Sequence, residues 1–195
     1  IRYIKWEERL DRVEYGLQWE YRYGVLKRAF IRSNHKTTEE FQHFLEENAQ
    51  WIQDYGLFMA CKEHFENAEW LKWDKDIRFR QPEALQRYCK TFSQEIEFYQ
   101  FLQYKFYEQW SGLKKYANEH GVEIIGDMPI YVALDSVDVW VNPGLFELDE
   151  ERKPVCVAGC PPDAFSDDGQ KWGNPLYNWR IMEKEGFAWW KRRMA

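Results

Sequence analysis

Cysteine is scarce in this sequence, with four residues in a chain of 195. They are too few and too scattered for a disulfide scaffold, and we interpret them as the reduced thiols of a cytosolic protein. Cys156 and Cys160 have the spacing of a ligand pair, but no second pair of Cys or His follows them. A zinc site is therefore not expected, and the sequence predicts neither a metal nor a cofactor.

Long apolar runs are also missing from the chain. No stretch approaches the ~18 residues that a membrane-spanning helix needs, so no membrane partner is predicted. Residues 1–7 carry charges and lack the pattern of a signal peptide, which favours a cytoplasmic protein. The first residue is not methionine, and we therefore expect the chain to be a fragment of a longer protein.

Basic charge is not in excess, because 27 Lys and Arg stand against 33 Asp and Glu for a net charge of -6. A protein that follows a phosphate backbone usually carries a basic excess, so nucleic acid is not an expected partner. Aromatic residues, by contrast, make up 18% of the chain and include 11 Trp. Many of them must be buried, because large aromatic side chains dominate core energetics. The remainder leaves exposed rings for a neutral, flat-faced ligand such as a sugar.

The stretch from Ala158 to Tyr177 is rich in glycine and proline, and the sequence predicts no long helix or regular strand in it. It also mixes aromatic with short polar residues, which is the composition of a binding site for a polar, flat-faced molecule. These residues are the aromatic Phe165, Trp172 and Tyr177 and the polar Asp163, Ser166, Gln170 and Asn174. An Ω-loop that packs its own aromatic side chains has the same composition. On composition alone the two interpretations stand equal.

Apolar residues that recur every three to four positions predict helices over most of the first 120 residues. The predicted helices cover residues 15–30, a short segment from Thr38, residues 51–65, a turn from Pro82 and residues 92–120. In the longest of them, the apolar residues from Phe98 to Ala117 share one face. Residues 67–82 alternate acidic and basic side chains, which is typical of solvated surface.

The pattern changes after Gly121, which is predicted to end the long helix in a left-handed conformation. Residues 122–125 form a short apolar run between two glycines and predict a buried parallel strand. Asp127 follows at the carboxyl end of this strand, where α/β folds place their chemistry. A helix cap or turn former is the other interpretation of Asp127. The helix-to-strand unit predicts an α/β fold.

Three further elements are predicted in the last third of the chain. A short helix is expected to begin at Asp135 or Ser136, and residues 148–155 are expected to form a hairpin. Asn178 is expected to cap a helix that runs to the end of the chain. Gly186 is the weak point of that helix, since glycine lowers helix stability.

Several contiguous motifs resemble the amylomaltases, which are 4-α-glucanotransferases of glycoside hydrolase family 77. They are Trp51-Ile52-Gln53-Asp54-Tyr55-Gly56-Leu57-Phe58, Glu95-Ile96-Glu97-Phe98-Tyr99-Gln100-Phe101-Leu102, Ile125-Gly126-Asp127-Met128-Pro129-Ile130-Tyr131-Val132 and the stretch from Ala158 to Tyr177. The resemblance covers nearly the whole chain. It implies a partial (β/α)8 barrel with a large helical insertion. Residues 1–90 would be the helical insertion subdomain, and residues 91–195 a barrel segment with a helix, the third strand, the active-site loop and the following helix.

The resemblance also implies a function, the transfer of α-1,4-glucan segments between maltodextrins by a retaining double displacement. Such a reaction needs a nucleophilic carboxylate and an acid/base carboxylate. In the family the nucleophile lies in an Arg-x-Asp motif that would follow the helix around residues 189–193. This fragment is therefore predicted to lack both groups and to be inactive alone. Two alternatives are an α-amylase-like hydrolase and a non-catalytic glucan-binding or helical interaction domain.

The same resemblance assigns roles to individual residues. Asp127 matches the strand-end Asp that lines the cleft, as a supporting catalytic residue and not as the nucleophile. Trp172 matches a loop Trp that contacts sugar. The substrate-covering loop would contribute Asp163, Phe165, Ser166, Gln170 and Asn174. Ala164 departs from many relatives, which carry Tyr there, and one aromatic contact to the acceptor glucan is therefore in doubt.

Overall fold

The computed structural model describes residues 12–194 and, for Trp19 and Glu20, the backbone alone. The charged N-terminal residues 1–11 lie outside the described part. In order along the chain, the elements are α1 (Tyr15–Arg32), α2 (Glu39–Glu47), α3 (Ile52–His64), α4 (Lys75–Arg78), α5 (Pro82–Thr91), α6 (Ser93–Glu119), α7 (Val137–Val141), β1 (Val157–Cys160), β2 (Gln170–Pro175), α8 (Trp179–Lys184) and α9 (Ala188–Met194). The described residues are thus mostly helical, with one two-stranded antiparallel sheet.

Contacts divide the chain into two units. Unit 1 comprises the described residues up to Met59 together with Phe92–Val122. Unit 2 comprises Ala60–Thr91 together with the residues from Glu123 onward. The predicted division into residues 1–90 and 91–195 stays a prediction.

Three helices begin where the sequence predicts them, and each start has a side-chain cap. The hydroxyl oxygens of Thr38 and Ser136 accept hydrogen bonds from the backbone N–H groups three residues later, at 3.4 Å each. The side-chain oxygen of Asn178 accepts one from the N–H of Ile181 at 3.2 Å. Such bonds satisfy N–H groups that have no partner inside the helix.

The core of unit 1 lies between α1 and the first half of α6. Phe30 packs against Phe98 and Phe101 with ring centroids 5.5 and 5.6 Å apart. Gly56 allows α3 to approach α6, because a Cβ at this position would lie 2.9 Å from Ile96 Cγ2. Further along α6 the same apolar face is exposed at Phe106, Trp110 and Leu113. The helical periodicity therefore predicted which face of α6 is apolar, but it did not predict that this face is exposed in the second half of the helix.

The core of unit 2 contains the segment that the sequence assigned to solvated surface. Trp70, Trp73 and Ile77 are all buried, so the surface prediction for residues 67–82 is wrong at these positions. The indole N–H of Trp70 donates to the carbonyl of Leu134 at 2.7 Å. That of Trp140 donates to the carbonyl of Ile77 at 3.2 Å. Lys72, Asp74 and Lys75 of the segment are exposed, while the aromatic and aliphatic residues between the charges supply the packing.

An ion pair fixes the chain just before α7 in unit 2. The Lys62 ammonium lies 2.6 Å from the Asp135 carboxylate and also donates to the carbonyls of Asn67 and Ala68 at 3.0 Å each. The second carboxylate oxygen of Asp135 accepts the backbone N–H of Trp70 at 3.2 Å. A largely buried ammonium is stable only with such partners. The segment that leads into α7 is therefore held at a defined place.

The predicted strand at residues 122–125 is not formed. Residues 122–129 belong to no helix or strand, and Ile125 is 95% exposed. A strand exists only through hydrogen bonds to a neighbour, and no other segment of residues 12–194 pairs with this one. The barrel implied by the resemblance is accordingly not present in the described residues.

Of the two other predictions about the last third of the chain, one is confirmed and one is corrected. Leu148 and Pro154 form an isolated antiparallel bridge, which closes the predicted hairpin over residues 148–155. The single helix predicted from Asn178 to the end of the chain is not formed, because α8 ends at Lys184 and α9 begins at Ala188. Gly186 and Phe187 between them adopt left-handed conformations (φ +63° and +57°), so the break lies at the predicted weak point.

Candidate functional site

The stretch from Ala158 to Tyr177 contains both strands of the sheet, so the prediction that no regular strand runs through it is wrong. Strands β1 and β2 pair with Val157 opposite Pro175, Gly159 opposite Lys171 and Cys160 opposite Gln170. The prolines and several glycines that suggested irregular backbone lie at the tip between the strands or in the irregular part of β2. We call this element the aromatic hairpin, residues 157–177.

Two glycines permit the close approach of the two strands. A Cβ on Gly159 would lie 2.3 Å from the backbone oxygen of Gln170. A Cβ on Gly169, which has φ +70°, would lie 2.5 Å from the backbone oxygen of Cys160. Both distances are shorter than any ordinary contact, so these positions require glycine.

The pairing is irregular at the position of Trp172. Between the pairs Val157–Pro175 and Gly159–Lys171, the single residue Ala158 of β1 faces residues 172–174 of β2. Gly173, in the middle of this bulge, has φ +81°. Bulges redirect side chains and are frequent beside active sites. Here the bulge presents Trp172 with half of its surface exposed.

The tip of the aromatic hairpin is ordered by Asp163. Its Oδ1 accepts hydrogen bonds from the backbone N–H groups of Phe165 at 2.8 Å and Ser166 at 2.9 Å. The Ser166 hydroxyl donates to the carbonyl of Gly169 at 2.8 Å and closes the turn. Phe165 is 95% exposed within this fixed loop. Asp163 and Ser166 therefore shape the tip, and Phe165 is the side chain that the tip presents.

Substitution of Asp163 should loosen the tip without unfolding the protein. With alanine, the amides of Phe165 and Ser166 lose their acceptor, a loss of about 1 kcal/mol per hydrogen bond. Their hydrogen exchange should then accelerate about fivefold. Asp163→Asn keeps the Oδ1 acceptor and should stay near the wild-type rate. Mass spectrometry of native-state exchange measures both, with Asp167→Ala as the matched control. Equal exchange in the alanine and asparagine variants would contradict the assignment.

The base of the aromatic hairpin is fixed to residues 130–132. The side-chain amide of Asn174 donates to the carbonyl of Val132, and the Tyr177 hydroxyl donates to the carbonyl of Ile130, each at 2.8 Å. Tyr131 contacts two aromatic residues of the hairpin, Trp172 and Tyr177. Its ring stacks on Tyr177 at 5.8 Å and 8°, and it contacts Trp172 at 6.2 Å.

Trp172 is oriented from two sides. Its indole N–H donates to the Gln170 side-chain oxygen at 3.0 Å, and its ring contacts Tyr131. The sequence singled out Gln170 and Trp172 but gave Tyr131 no role of its own. No sequence pattern indicates that Tyr131 contacts Trp172, because the two residues are forty-one positions apart and belong to no common periodic segment. Only the fold brings the two rings together.

Burial affects the pKa of the Tyr177 hydroxyl more than the neighbouring charges do. Desolvation raises the pKa of its hydroxyl above the ordinary value, while the nearby Arg193 acts in the opposite direction. The hydroxyl therefore stays protonated at neutral pH and remains a donor to Ile130. Tyr177 is a structural anchor of the hairpin base.

Asp127 lies in the segment that precedes the hairpin contacts at residues 130–132. It is exposed, and it belongs to no helix or strand. Within residues 12–194, no side chain of the aromatic hairpin is hydrogen-bonded to it. The structure thus brings Gln170, Trp172 and Asn174 together around residues 131–132 but leaves Asp127 outside this cluster.

The described residues offer neither a metal cluster nor a membrane-spanning helix. Residues 12–194 contain no group of three or more His, Cys, Asp or Glu that could hold a metal ion. None of the described helices combines the length and the apolar character that crossing a membrane requires. All four cysteines are free thiols, and burial raises the pKa of the Cys61 thiol to about 12.

Comparison with known proteins identifies the family. The profile of the glycoside hydrolase family 77, described as 4-alpha-glucanotransferase, matches residues 2–195. The chain belongs to this family. The resemblance of its motifs to the amylomaltases is confirmed.

Individual members of the 4-alpha-glucanotransferase family match closely over part of their length. The chain is 45% identical over 185 residues to the 4-alpha-glucanotransferase of Clostridium butyricum, covering 94% of this chain and 38% of that protein. It is 45% identical to the enzyme of Thermus thermophilus over 94% of this chain and 37% of that one. It superimposes on the amylomaltase from Streptococcus agalactiae in complex with acarbose with a TM-score of 0.92 and 44% identity, covering 98% of this chain and 39% of the other. The chain thus spans less than two fifths of these relatives.

Proposed function

We propose that the protein containing this chain is a 4-α-glucanotransferase that moves α-1,4-glucan segments between maltodextrins. The similarity at 45% identity over 94% of the chain to a 4-alpha-glucanotransferase carries this proposal. The chain contributes substrate-contacting residues, while the nucleophile and the acid/base lie in the remainder of the protein. The isolated fragment is expected to be inactive.

The aromatic hairpin supports this function through the surface that it presents. Trp172 and Tyr131 form a pair of rings of which Trp172 is half exposed. Such rings fit the apolar face of a glucose unit, while the side chains of Gln170 and Asn174 lie beside them. Binding sites for sugars combine flat apolar contacts with a few oriented polar groups.

The tip of the aromatic hairpin would cover the bound glucan on its solvent side. Phe165 belongs to the turn that Asp163 and Ser166 order, and its side chain is almost fully exposed. Ala164 adds no aromatic ring beside it. A rigid apolar lid excludes water from the glycosyl-enzyme while an acceptor hydroxyl is admitted. The hairpin would thereby favour transfer over hydrolysis.

Asp127 is proposed as a supporting carboxylate. In a retaining mechanism one carboxyl is the nucleophile and the other the acid and then the base, and their positions must be fixed. Asp127 belongs to the segment whose following residues, Ile130 and Val132, accept hydrogen bonds from the hairpin. Its carboxylate would orient the catalytic groups and would not attack the sugar.

Incubation of the complete protein with maltotriose tests the function. A glucanotransferase produces glucose and longer maltodextrins while the number of reducing ends stays constant. An increase in reducing ends would show a hydrolase of the α-amylase type instead. Binding of maltodextrin without any conversion would show a glucan-binding protein.

A further inference from the structure

Arg193, in the last turn of α9, is hydrogen-bonded to the segment that carries Asp127. Its Nη2 donates to the carbonyl of Pro129 at 3.2 Å. The aromatic hairpin holds two carbonyls further along this segment, those of residues 130 and 132. Of these three side-chain donors, Arg193 therefore acts on the carbonyl that is closest to Asp127 in the sequence.

Side chains alone determine the path of this segment. Residues 127–132 belong to no helix or strand, and within residues 12–194 no backbone–backbone hydrogen bond involves them. The connection from Asp127 to the held carbonyl is short and stiff. The ring of Pro129 fixes its φ, and the residue before a proline is restricted to extended conformations. A displacement of the Pro129 carbonyl is therefore transmitted to Asp127 and is not absorbed between them.

The Arg193 guanidinium is itself held by aromatic rings. It lies 4.6 Å from the ring of Trp189 and 5.3 Å from the ring of Trp190. Trp189 is buried, and its indole N–H donates to Asp138 Oδ1 in α7 at 3.2 Å. A guanidinium on a ring face keeps its in-plane N–H groups available for an acceptor. The donor to the carbonyl of residue 129 therefore has a defined position.

The break between α8 and α9 sets the direction of the helix that carries Arg193. The N–H of Phe187 donates to the carbonyl of Met182 at 2.8 Å, and that of Gly186 to the carbonyl of Glu183 at 2.9 Å. This pair of bonds is a Schellman motif with the glycine in the left-handed position. A helix continued without the break would carry residue 193 along the axis of α8, so the break contributes to the placement of the guanidinium.

We propose that Arg193 is a positioning residue for Asp127. It holds the carbonyl of Pro129, and the stiff connection then fixes Asp127 at the place from which its carboxylate orients the catalytic groups. This inference rests on the proposed function. It adds to that function a residue outside the aromatic hairpin, whose effect on the reaction is exerted through Asp127.

Steady-state kinetics of maltotriose disproportionation by the complete protein test the proposal. Arg193→Gln should lower kcat about tenfold and leave KM within about twofold, because a misplaced group affects the transition state more than substrate binding. Arg193→Lys keeps the charge and a donor without the planar fork, and it should recover part of the loss. Arg192→Gln removes the charge of the adjacent exposed residue and is the matched control, with wild-type kcat.

A double-mutant cycle separates positioning from a general structural effect. In an Asp127→Asn background, the Arg193 substitution should lower kcat by at most about twofold, because two residues that act as a unit are not additive. A tenfold loss in both backgrounds would overturn the proposal, since Arg193 would then act independently of Asp127. A higher KM with unchanged kcat would overturn it as well. If Arg193→Gln does not fold, Arg193→Lys takes its place in the cycle.

A second measurement does not depend on turnover. Met128 lies between Asp127 and Pro129, so its methyl resonance, in protein labelled with carbon-13 at the methionine methyl groups, reports on the position of the segment. The resonance is assigned by its loss in Met128→Leu. It should shift in Arg193→Gln and stay in place in Arg192→Gln, and an unshifted resonance in the Arg193 variant would overturn the proposal. A shift in a protein that does not disproportionate maltotriose would refute the proposed function while the hold of Arg193 on the segment stands.

Discussion

Replacement of Trp172 by alanine in the complete protein is expected to raise glucose release relative to longer maltodextrins. The indole ring is half exposed, and its orientation is set by Gln170 and Tyr131. Its removal would open the base of the aromatic hairpin to water and would take away the stacking surface that we propose for the acceptor sugar. An aromatic contact of about 0.5–1.5 kcal/mol corresponds to a shift of up to about tenfold in the ratio of hydrolysis to transfer.

The ratio is measured with maltotriose by quantifying glucose, longer products and reducing ends over time. Trp172→Phe retains a ring and should lie between alanine and wild type. Lys171→Ala changes the adjacent exposed residue of β2 and serves as the matched control. An unchanged product ratio in Trp172→Ala would refute the role of this ring in favouring transfer.

Replacement of Gly159 by alanine should have the second large effect, because it forces apart the two strands of the aromatic hairpin. The new Cβ would lie 2.3 Å from the backbone oxygen of Gln170, and backbone cannot move aside as a flexible side chain can. Overpacking of this kind costs about 1–3 kcal/mol. The shift would carry Trp172 with it, and a displacement near 1 Å can reduce catalysis about a hundredfold.

Both consequences of the Gly159 substitution can be measured in the complete protein. Denaturant unfolding gives the stability change, and the initial rate of maltotriose disproportionation gives the change in activity. Gly144→Ala is the matched control, since a Cβ there meets no atom within 4 Å. Its stability should stay within about 0.5 kcal/mol of wild type. Wild-type activity in Gly159→Ala would show that the hairpin geometry is not needed for transfer.

Local signals in the sequence predicted the helices well. Thr38, Ser136 and Asn178 each have a short polar side chain that can bond an N–H group three residues later, and all three do so. Gly121 has φ +75° just after α6, as the left-handed end requires. These features depend on residues within one or two turns, so the local sequence contains the information.

Strand pairing between distant segments could not be predicted from local sequence. Residues 122–125 have the composition of a buried strand, yet they are exposed and pair with no other strand in the described part of the chain. Glycine- and proline-containing stretches form β1 and β2 instead. Strand formation depends on a neighbour that sequence composition does not identify. Residues 67–82 were misassigned for a related reason. Their alternating charges are visible in the sequence, but the burial of Trp70 and Ile77 depends on distant partners such as Leu134 and Trp140.

The same distinction between local and non-local information applies to the candidate site. The sequence alone determined the caps at Thr38, Ser136 and Asn178, the absence of a basic excess, and the motifs that relate the chain to the 4-alpha-glucanotransferases. Only the tertiary structure decided that Trp172 meets Tyr131 and that Asn174 and Tyr177 hold residues 130–132. Caps and helical faces arise from neighbours along the chain, whereas ring contacts and side-chain anchors arise from packing between residues far apart in it.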